Sequence, residues 1–236
     1  MTVPAADLLA AWDRGNLDTA GRPLTLLAAM GRPVEEHLSI GRRDAALLEL
    51  RATLFGTPVR GAMDCPACGE LLELAFELDD VKVTPASPDR SGTDLTVADG
   101  RFEVSFRLPD TADLALVSMA GSTATTLMDR CVRSATRDGV EITVAELPVE
   151  VVALVENRME AADPQADVRL DLVCPVCTAG AEVAFDIASF LWREVDAWAR
   201  GLLAEVHQLA GAYGWTEADI LALGPARRRF YLEMTA

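Results

Sequence analysis

Four cysteines in two matching pairs are the residues whose type and spacing could do chemistry in this sequence. Cys65 and Cys68 lie in one CPxC segment, and Cys174 and Cys177 lie in another. Two thiolates on a short turn bind a zinc ion from one side, and a second such turn completes a tetrahedral site. We therefore predict one structural Zn²⁺ as the cofactor, bound by Cys65, Cys68, Cys174 and Cys177.

The likeness between the two segments extends beyond the cysteines. Aligning the first cysteine of each pair also aligns Glu73 with Glu182 and Phe76 with Phe185. After each pair, apolar residues occupy every second position: Leu72, Leu74, Phe76 and Leu78, and then Ala181, Val183, Phe185 and Ile187. Since a period of two is typical of a strand with one buried face, each segment is predicted to be a tight cysteine turn that leads into a half-buried strand.

The spacing between the two pairs leaves other interpretations open. The usual zinc signature has roughly 15–20 residues between its CxxC pairs, and the stretch between Cys68 and Cys174 is much longer. The cysteines could instead be reduced and buried, form a local disulfide in each pair, or belong to separate thioredoxin-like redox sites. A redox CxxC is expected next to a βαβ unit, at the start of a helix, whereas these pairs precede strands.

The elements that must position the cysteines are predicted from periodicity and from capping residues. Helices are predicted over 5–12, 24–30, 42–55, 112–119, 122–136, 148–162 and 187–213, strands over 102–108, 140–144 and 168–173, and a surface loop over 81–100. The helix that ends near Phe55 is expected to lead directly into the first cysteine turn. The sequence thus predicts an α+β fold, in which two zinc-ribbon-like CPxC hairpins are joined by an α/β insertion. The expected division is a helical segment 1–60, a core 61–186 and a helical segment 187–236.

The end of the chain combines aromatic and basic residues, which are the types that most often anchor protein interfaces. We predict partner binding by Tyr213, Trp215, Arg227, Arg228, Arg229, Phe230 and Tyr231. An arginine cluster on an acidic protein would favour an acidic partner surface. The alternative is that the aromatic residues only pack the tail onto the preceding long helix.

Composition and missing motifs exclude several classes of function. The 236 residues carry a formal charge of −16, which argues against nucleic-acid binding, and half of them are hydrophobic, as in a globular protein. No apolar run approaches the roughly 20 residues of a membrane span, and the first residues do not form a secretory signal, so a cytoplasmic location is expected. His37, His207 and Cys131 have no recognisable catalytic partners in sequence. We expect no enzymatic activity and no small-molecule substrate.

Several blocks of the sequence together resemble a known family. They are GRRDAALLELRATLFG followed by CPACG, a strand that ends in RLPD, ADPQADVRLDLVCPVC, and the C-terminal block from FDIASFLW to RRRFYLEM. In this combination, over residues 38–235, the chain is similar to baseplate assembly proteins of phage tails and related contractile injection systems, including T4-like baseplate hub assembly proteins. The second cysteine turn departs from this pattern, because Thr178 stands where CPxCG has glycine.

The resemblance implies a non-enzymatic protein that helps to build, or forms part of, the baseplate hub. Its expected partners are hub or spike subunits, and it would be found in the cytoplasm or within an assembled phage-like particle. Two other functions remain open: a thiol–disulfide redox protein that uses one CxxC pair, and a zinc-ribbon adaptor of an unrelated cytoplasmic complex.

Overall fold

The computed structural model describes residues 3–31, 37–83, 94–120 and 124–235. The chain divides into two compact units, one formed by Met1–Arg32 with Ala188–Ala236 and the other by Pro33–Ile187. Helices and strands are both present, and the two CxxC pairs lie close together, which confirms the predicted α+β class. The division of the chain at residues 60 and 186 stays a prediction.

The first unit is helical. Its long helix α7 carries an apolar stripe that includes Leu191, Val195 and Leu209, all fully buried, as the helical spacing predicts. Helix α1 packs on this stripe through Leu9, which contacts a cluster with Ala199 and Leu202. The helices of this unit are α1 (Ala5–Leu17), α2 (Arg22–Ala28), α7 (Ile187–Tyr213), α8 (Glu217–Leu221) and α9 (Pro225–Glu233).

In the described part of the second unit there are four α-helices and three antiparallel sheets. Its helices are α3 (Ile40–Phe55), α4 (Thr111–Ala120), α5 (Ala124–Cys131) and α6 (Val149–Ala162). The strands β1 (Pro58–Asp64) and β2 (Leu71–Glu77) form one hairpin, and β7 (Arg169–Val173) and β8 (Gly180–Ala184) form another. Between them in sequence lies a four-stranded sheet in the order β3 (Leu95–Asp99), β4 (Phe102–Phe106), β5 (Val132–Arg137) and β6 (Val140–Glu141).

The four-stranded sheet has its own hydrophobic core, and this core is distinct from the apolar cluster of the two hairpins. Val104 and Phe106 of β4 are fully buried and belong to one cluster with Val151 and Val155 of α6. Alternate residues of β4 point inward because successive side chains of a strand lie on opposite faces. This insertion therefore folds as a sheet covered by a helix, which agrees with the predicted α/β insertion.

Three strand assignments differ from the sequence predictions. Strand β1 lies between α3 and the first cysteine turn, so the helix does not lead directly into that turn. Strand β3 occupies part of the predicted loop 81–100, of which residues 84–93 lie outside the described ranges. The predicted helix 122–136 ends at Cys131, and β5 follows, because Ala135 pairs with Val104 of β4 and is buried there.

Within the described ranges, no helix combines the length and the apolar character that are needed to cross a membrane.

Candidate metal centre

The first cysteine turn closes the hairpin of β1 and β2. The register pairs Asp64 with Leu71, so the turn occupies the tip between them. The backbone N–H of Cys65 donates to the carbonyl oxygen of Glu70 at 2.7 Å, and that of Gly69 donates to the carbonyl of Cys65 at 2.8 Å. Gly69 has a φ of 76°, in the left-handed region that glycine adopts without steric cost.

The second cysteine turn repeats these contacts at the tip of β7 and β8. The N–H of Cys174 donates to the carbonyl of Ala179 at 3.0 Å, and that of Thr178 donates to the carbonyl of Cys174 at 3.0 Å. Thr178 has a φ of 59°, although a β-branched residue is rare in this region. Thr178 therefore adopts the conformation of Gly69, and its departure from the CPxCG pattern does not change the path of the turn.

The two turns bring all four sulfur atoms together. The Sγ atoms of Cys65, Cys68, Cys174 and Cys177 lie within 4.8 Å of one another. Two distances that join the hairpins, Cys65 to Cys177 and Cys68 to Cys174, are both 3.8 Å. Four thiolates at about 2.3 Å from a tetrahedral metal ion stand about 3.8 Å apart. The cluster therefore has the dimensions of a metal site, and at these distances the sulfurs are not joined as disulfides.

The four cysteines of the cluster differ in their exposure to solvent. Cys65 and Cys174 are buried and contact Leu72, with Met63 and Cys177 packed against them, whereas Cys68 is exposed. This apolar contact covers the first cysteine of each pair and leaves the second cysteine of the first turn facing solvent.

The thiols of the cluster differ in acidity. Backbone N–H groups of Cys177 and Val176 point at the Cys174 sulfur and lower the pKa of that thiol to about 7. At Cys68 the backbone N–H of Glu70 acts in the same direction, but the neighbouring thiols and burial outweigh it and raise the pKa to about 12. Four thiolates this close repel one another, so a cation is needed to hold them all ionised.

The hairpins also meet through an aromatic pair. The rings of Phe76 and Phe185, which occupy equivalent positions after the two turns, pack edge to face with centroids 5.3 Å apart. Edge-to-face pairs are a favourable aromatic geometry. The repeated segments thus contact each other at both the cysteines and the phenylalanines.

A polar contact that sequence reasoning missed holds the segment before β7. Asp163 accepts a hydrogen bond from the N–H of Gly41, at the start of α3, at 2.8 Å. A side chain at Gly41 would collide with Asp163 and would lie 2.9 Å from the backbone nitrogen of Ala166. Gln165 accepts from the N–H of Val83 at 2.7 Å. The sequence predicts only that a helix ends before Asp163, and the signal for this contact is the polar run ADPQAD ahead of the second cysteine turn.

A buried ion cluster at the end of β4 was also missed. Asp113 is fully buried and accepts hydrogen bonds from Arg107 at 2.9 Å and Arg130 at 2.8 Å. Burial alone would raise its pKa, but the two guanidinium groups and the N–H of Asp110 hold the pKa well below its usual range. His37 lies 3.2 Å from Asp110, a carboxylate of the same cluster. Arg107 and Asp110 belong to the RLPD block, so this block has a structural role.

The predicted partner-binding residues of the C-terminal segment fall into two groups. Tyr213 stacks on Trp215 with centroids 4.7 Å apart, and Tyr231 contacts both rings. Trp215 and Tyr231 also pack on the buried cluster of Val206, Leu209 and Ile220. Arg228 is buried, with hydrogen bonds to Glu205 at 2.8 Å and to the carbonyl of Leu223 at 2.7 Å. The exposed members are Tyr213, Arg227, Arg229 and Phe230.

Comparison with known proteins gave one match. The family model described as T4 bacteriophage base plate protein matches residues 24–192, which is more than half of the chain and includes both cysteine pairs. No curated protein and no solved structure matches the chain.

Proposed function

This chain belongs to the T4 bacteriophage base plate protein family, and on that premise we propose that it is a non-enzymatic assembly or structural protein of the baseplate hub. The baseplate would be that of a phage tail or a related contractile injection system. Membership of the family implies contact with other baseplate components, and we propose hub or spike subunits as the direct partners. Incorporation into a phage particle fits this role.

The metal centre is proposed to fasten the two hairpins with a structural zinc ion. The observation that carries this proposal is the group of four cysteine sulfurs within 4.8 Å, two from each hairpin. A closed set of four cysteine ligands is typical of structural zinc rather than of catalytic zinc, which keeps one position open for water. The geometry argues against two separate redox sites, since each CxxC lies beside the other.

Metal content tests this part of the proposal. Protein purified without added metal is expected to contain one zinc per chain, and Cys65→Ser and Cys174→Ser are each expected to lose it. Cys131→Ala is the matched control, because Cys131 is a buried free cysteine outside the cluster, and it should retain zinc. Four sulfur ligands in a tetrahedron suit both zinc and iron. Iron in place of zinc in the purified protein would therefore refute the choice of zinc. Four free thiols without any metal in folded protein would refute the metal site.

The C-terminal helix α9 is proposed to supply the docking surface. Arg228 turns inward and pairs with Glu205 of α7, so its neighbours Arg227, Arg229 and Phe230 are presented to solvent. Phe230 is 60% exposed although it adjoins the packed ring of Tyr231. Two arginines beside an exposed aromatic ring, on a chain with a net charge of −16, favour an acidic partner surface with an apolar pocket.

Co-purification with hub or spike subunits tests the docking surface. The combined variant Arg227→Ala, Arg229→Ala and Phe230→Ala is expected to lose most of the bound partner and to unfold at the same temperature as the parent. Arg158→Ala, an exposed position on α6, controls for a change in charge alone and should bind normally. Unchanged recovery of the partner by the combined variant would show that these residues are not the docking surface.

A further inference from the structure

Two sulfur contacts of the metal centre run between the hairpins. Cys65 lies 3.8 Å from Cys177, and Cys68 lies 3.8 Å from Cys174. All four thiols are free, and Cys68 is exposed to solvent. Covalent bonding of either pair would need the sulfurs to approach to about 2 Å, which is a short movement for side chains at the tips of two-stranded hairpins.

We infer that these cysteines form a second, metal-free joint, in which the disulfides Cys65–Cys177 and Cys68–Cys174 hold the hairpins together after oxidation by a peroxide. The inference rests on the proposed zinc site, because oxidation releases the zinc ion as its ligands are consumed. The oxidised chain therefore keeps the contact that zinc makes in the reduced chain.

The chemistry can be followed atom by atom. The exposed sulfur of Cys68 attacks one peroxide oxygen, the O–O bond breaks, and a sulfenic acid forms with release of water. The sulfur of Cys174 then attacks the Cys68 sulfur, which forms the S–S bond and expels a second water. Repetition at Cys65 and Cys177 consumes a second peroxide. Overall, four zinc-bound thiolates react with two peroxide molecules and four protons. The products are two disulfides, four water molecules and one Zn²⁺ ion.

Bonds between the hairpins stabilise the folded chain more than bonds within each CxxC would. A disulfide stabilises mainly by restricting the unfolded chain, and its effect grows with the length of the loop that it closes. Bonds between the hairpins close loops that contain the whole insertion, whereas bonds within a CxxC close a small ring. Thiol–disulfide exchange interconverts the two arrangements while a free thiolate remains, and the 3.8 Å contacts place the sulfurs of the pairs between the hairpins next to each other.

The consequence concerns the environment in which the protein works. Thiols remain reduced in the cytosol, and disulfides persist in oxidising surroundings outside it. A baseplate protein that is carried in a released particle would meet both conditions. Zinc would hold the hairpins together during assembly, and disulfides would hold them together afterwards.

Trypsin provides a direct assay, because its cleavage sites separate the two pairs. Cleavage after Arg60 and Lys82 releases fragment 61–82, with Cys65 and Cys68, and cleavage after Arg169 and Arg193 releases fragment 170–193, with Cys174 and Cys177. The full-length protein is treated with hydrogen peroxide, free thiols are blocked, and the monomer is digested without reductant. We expect the two fragments to be joined to each other, and to separate after reduction.

Two further variants assign the pairs. Cys65→Ser with Cys177→Ser retains Cys68 and Cys174, and Cys68→Ser with Cys174→Ser retains Cys65 and Cys177. Each should join the two fragments. Separate fragments with internal disulfides in the parent protein, or failure of both variants to join them, would overturn the inference.

The metal measurement keeps this result separate from the proposed function. If the isolated protein contains no zinc but peroxide still joins the two fragments, the zinc assignment fails and the disulfide pairing stands. If zinc is present and released while the fragments remain separate, the pairing fails and the zinc site stands. Cys131 lies in its own short tryptic peptide, 131–133, and its absence from the joined product controls for unspecific oxidation.

Discussion

Replacing Thr178 with glycine should stabilise the protein, because Thr178 occupies a backbone conformation that suits glycine. Its φ of 59° corresponds to the φ of 76° at Gly69 in the first turn. The backbone hydrogen bond from Thr178 to Cys174, at 3.0 Å, does not need the threonine side chain. Thr178 is exposed, so its removal leaves no cavity. The substitution thus removes steric strain without removing a contact that the structure describes.

The size of the effect follows from two opposing contributions. A residue with a side chain in the left-handed region costs about 1–2 kcal/mol. Glycine, however, gives the unfolded chain more freedom, which costs about 0.5–1 kcal/mol. The net gain in the free energy of unfolding is therefore about 0.5–1 kcal/mol, which raises Tm by about 1–4 °C in a protein of this size. If the turn is strained only when metal is bound, the same free energy makes zinc binding by Thr178→Gly roughly two- to fivefold tighter than by the parent protein.

The assay compares unfolding of the metal-loaded proteins and their zinc affinity in competition with a chelator. Thr178→Ala is the matched control, because alanine removes the branch but keeps a Cβ atom in the left-handed region, and it should gain less than glycine. The reverse substitution, Gly69→Thr, should lower the free energy of unfolding by about 0.5–1 kcal/mol, because the same two contributions act with opposite sign. A Thr178→Gly protein that is no more stable than the parent, together with a neutral Gly69→Thr, would refute the reasoning.

Three further substitutions, two of them compared with a control variant, test buried contacts by urea unfolding. Asp113→Ala leaves two guanidinium groups without their buried carboxylate and should cost about 3–5 kcal/mol. Asp138→Ala breaks an exposed ion pair and should cost much less, so equal losses would contradict this reasoning. Gly41→Ala forces its Cβ atom into the start of the segment before β7 and should destabilise the protein strongly. Its control, Gly201→Ala, lies in open space on α7 and should stabilise the protein by about 0.5–1 kcal/mol. A tolerated Gly41→Ala would show that the close contact between Gly41 and Asp163 is dispensable. Burial raises the pKa of Asp44 from 3.8 to about 6, so its contribution is most favourable below pH 4 and is lost as pH rises through 6. Asp44→Asn should flatten this part of the stability profile by on the order of 2–3 kcal/mol, and an unchanged profile would exclude Asp44 as its source.

Local patterns were sufficient to predict much of the secondary structure. The alternation after each cysteine pair identified β2 and the residues on its buried face, such as Leu72 and Phe76. The apolar stripe from Ile187 onward identified α7, and Pro148 marked the start of α6. These features were accessible because helix and strand periodicity, capping and turn residues act over a few neighbouring positions.

The strands that were missed depend on their partners. Strand β1 has the sequence PVRGAMD, in which proline and glycine weaken any strand signal, and it forms because each residue pairs with β2. Strand β5 continues directly from α5, and only its pairing with β4 buries Ala135. Strand propensity depends strongly on such neighbours, so the same residues read alone favoured a loop or a helix.

The sequence by itself determined which residues can bind a metal, since cysteine type and CxxC spacing are chemical properties of the chain. Only the tertiary structure decided that Cys65 and Cys177, far apart in sequence, lie 3.8 Å from each other. It also decided that Arg228 is buried against Glu205, whereas Arg227 and Arg229 remain exposed. Spacing within a turn restricts the two ligands of one pair, but the position of the second pair depends on the packing of everything between them. That packing is the sum of many weak contacts between distant residues, and no short stretch of sequence contains it.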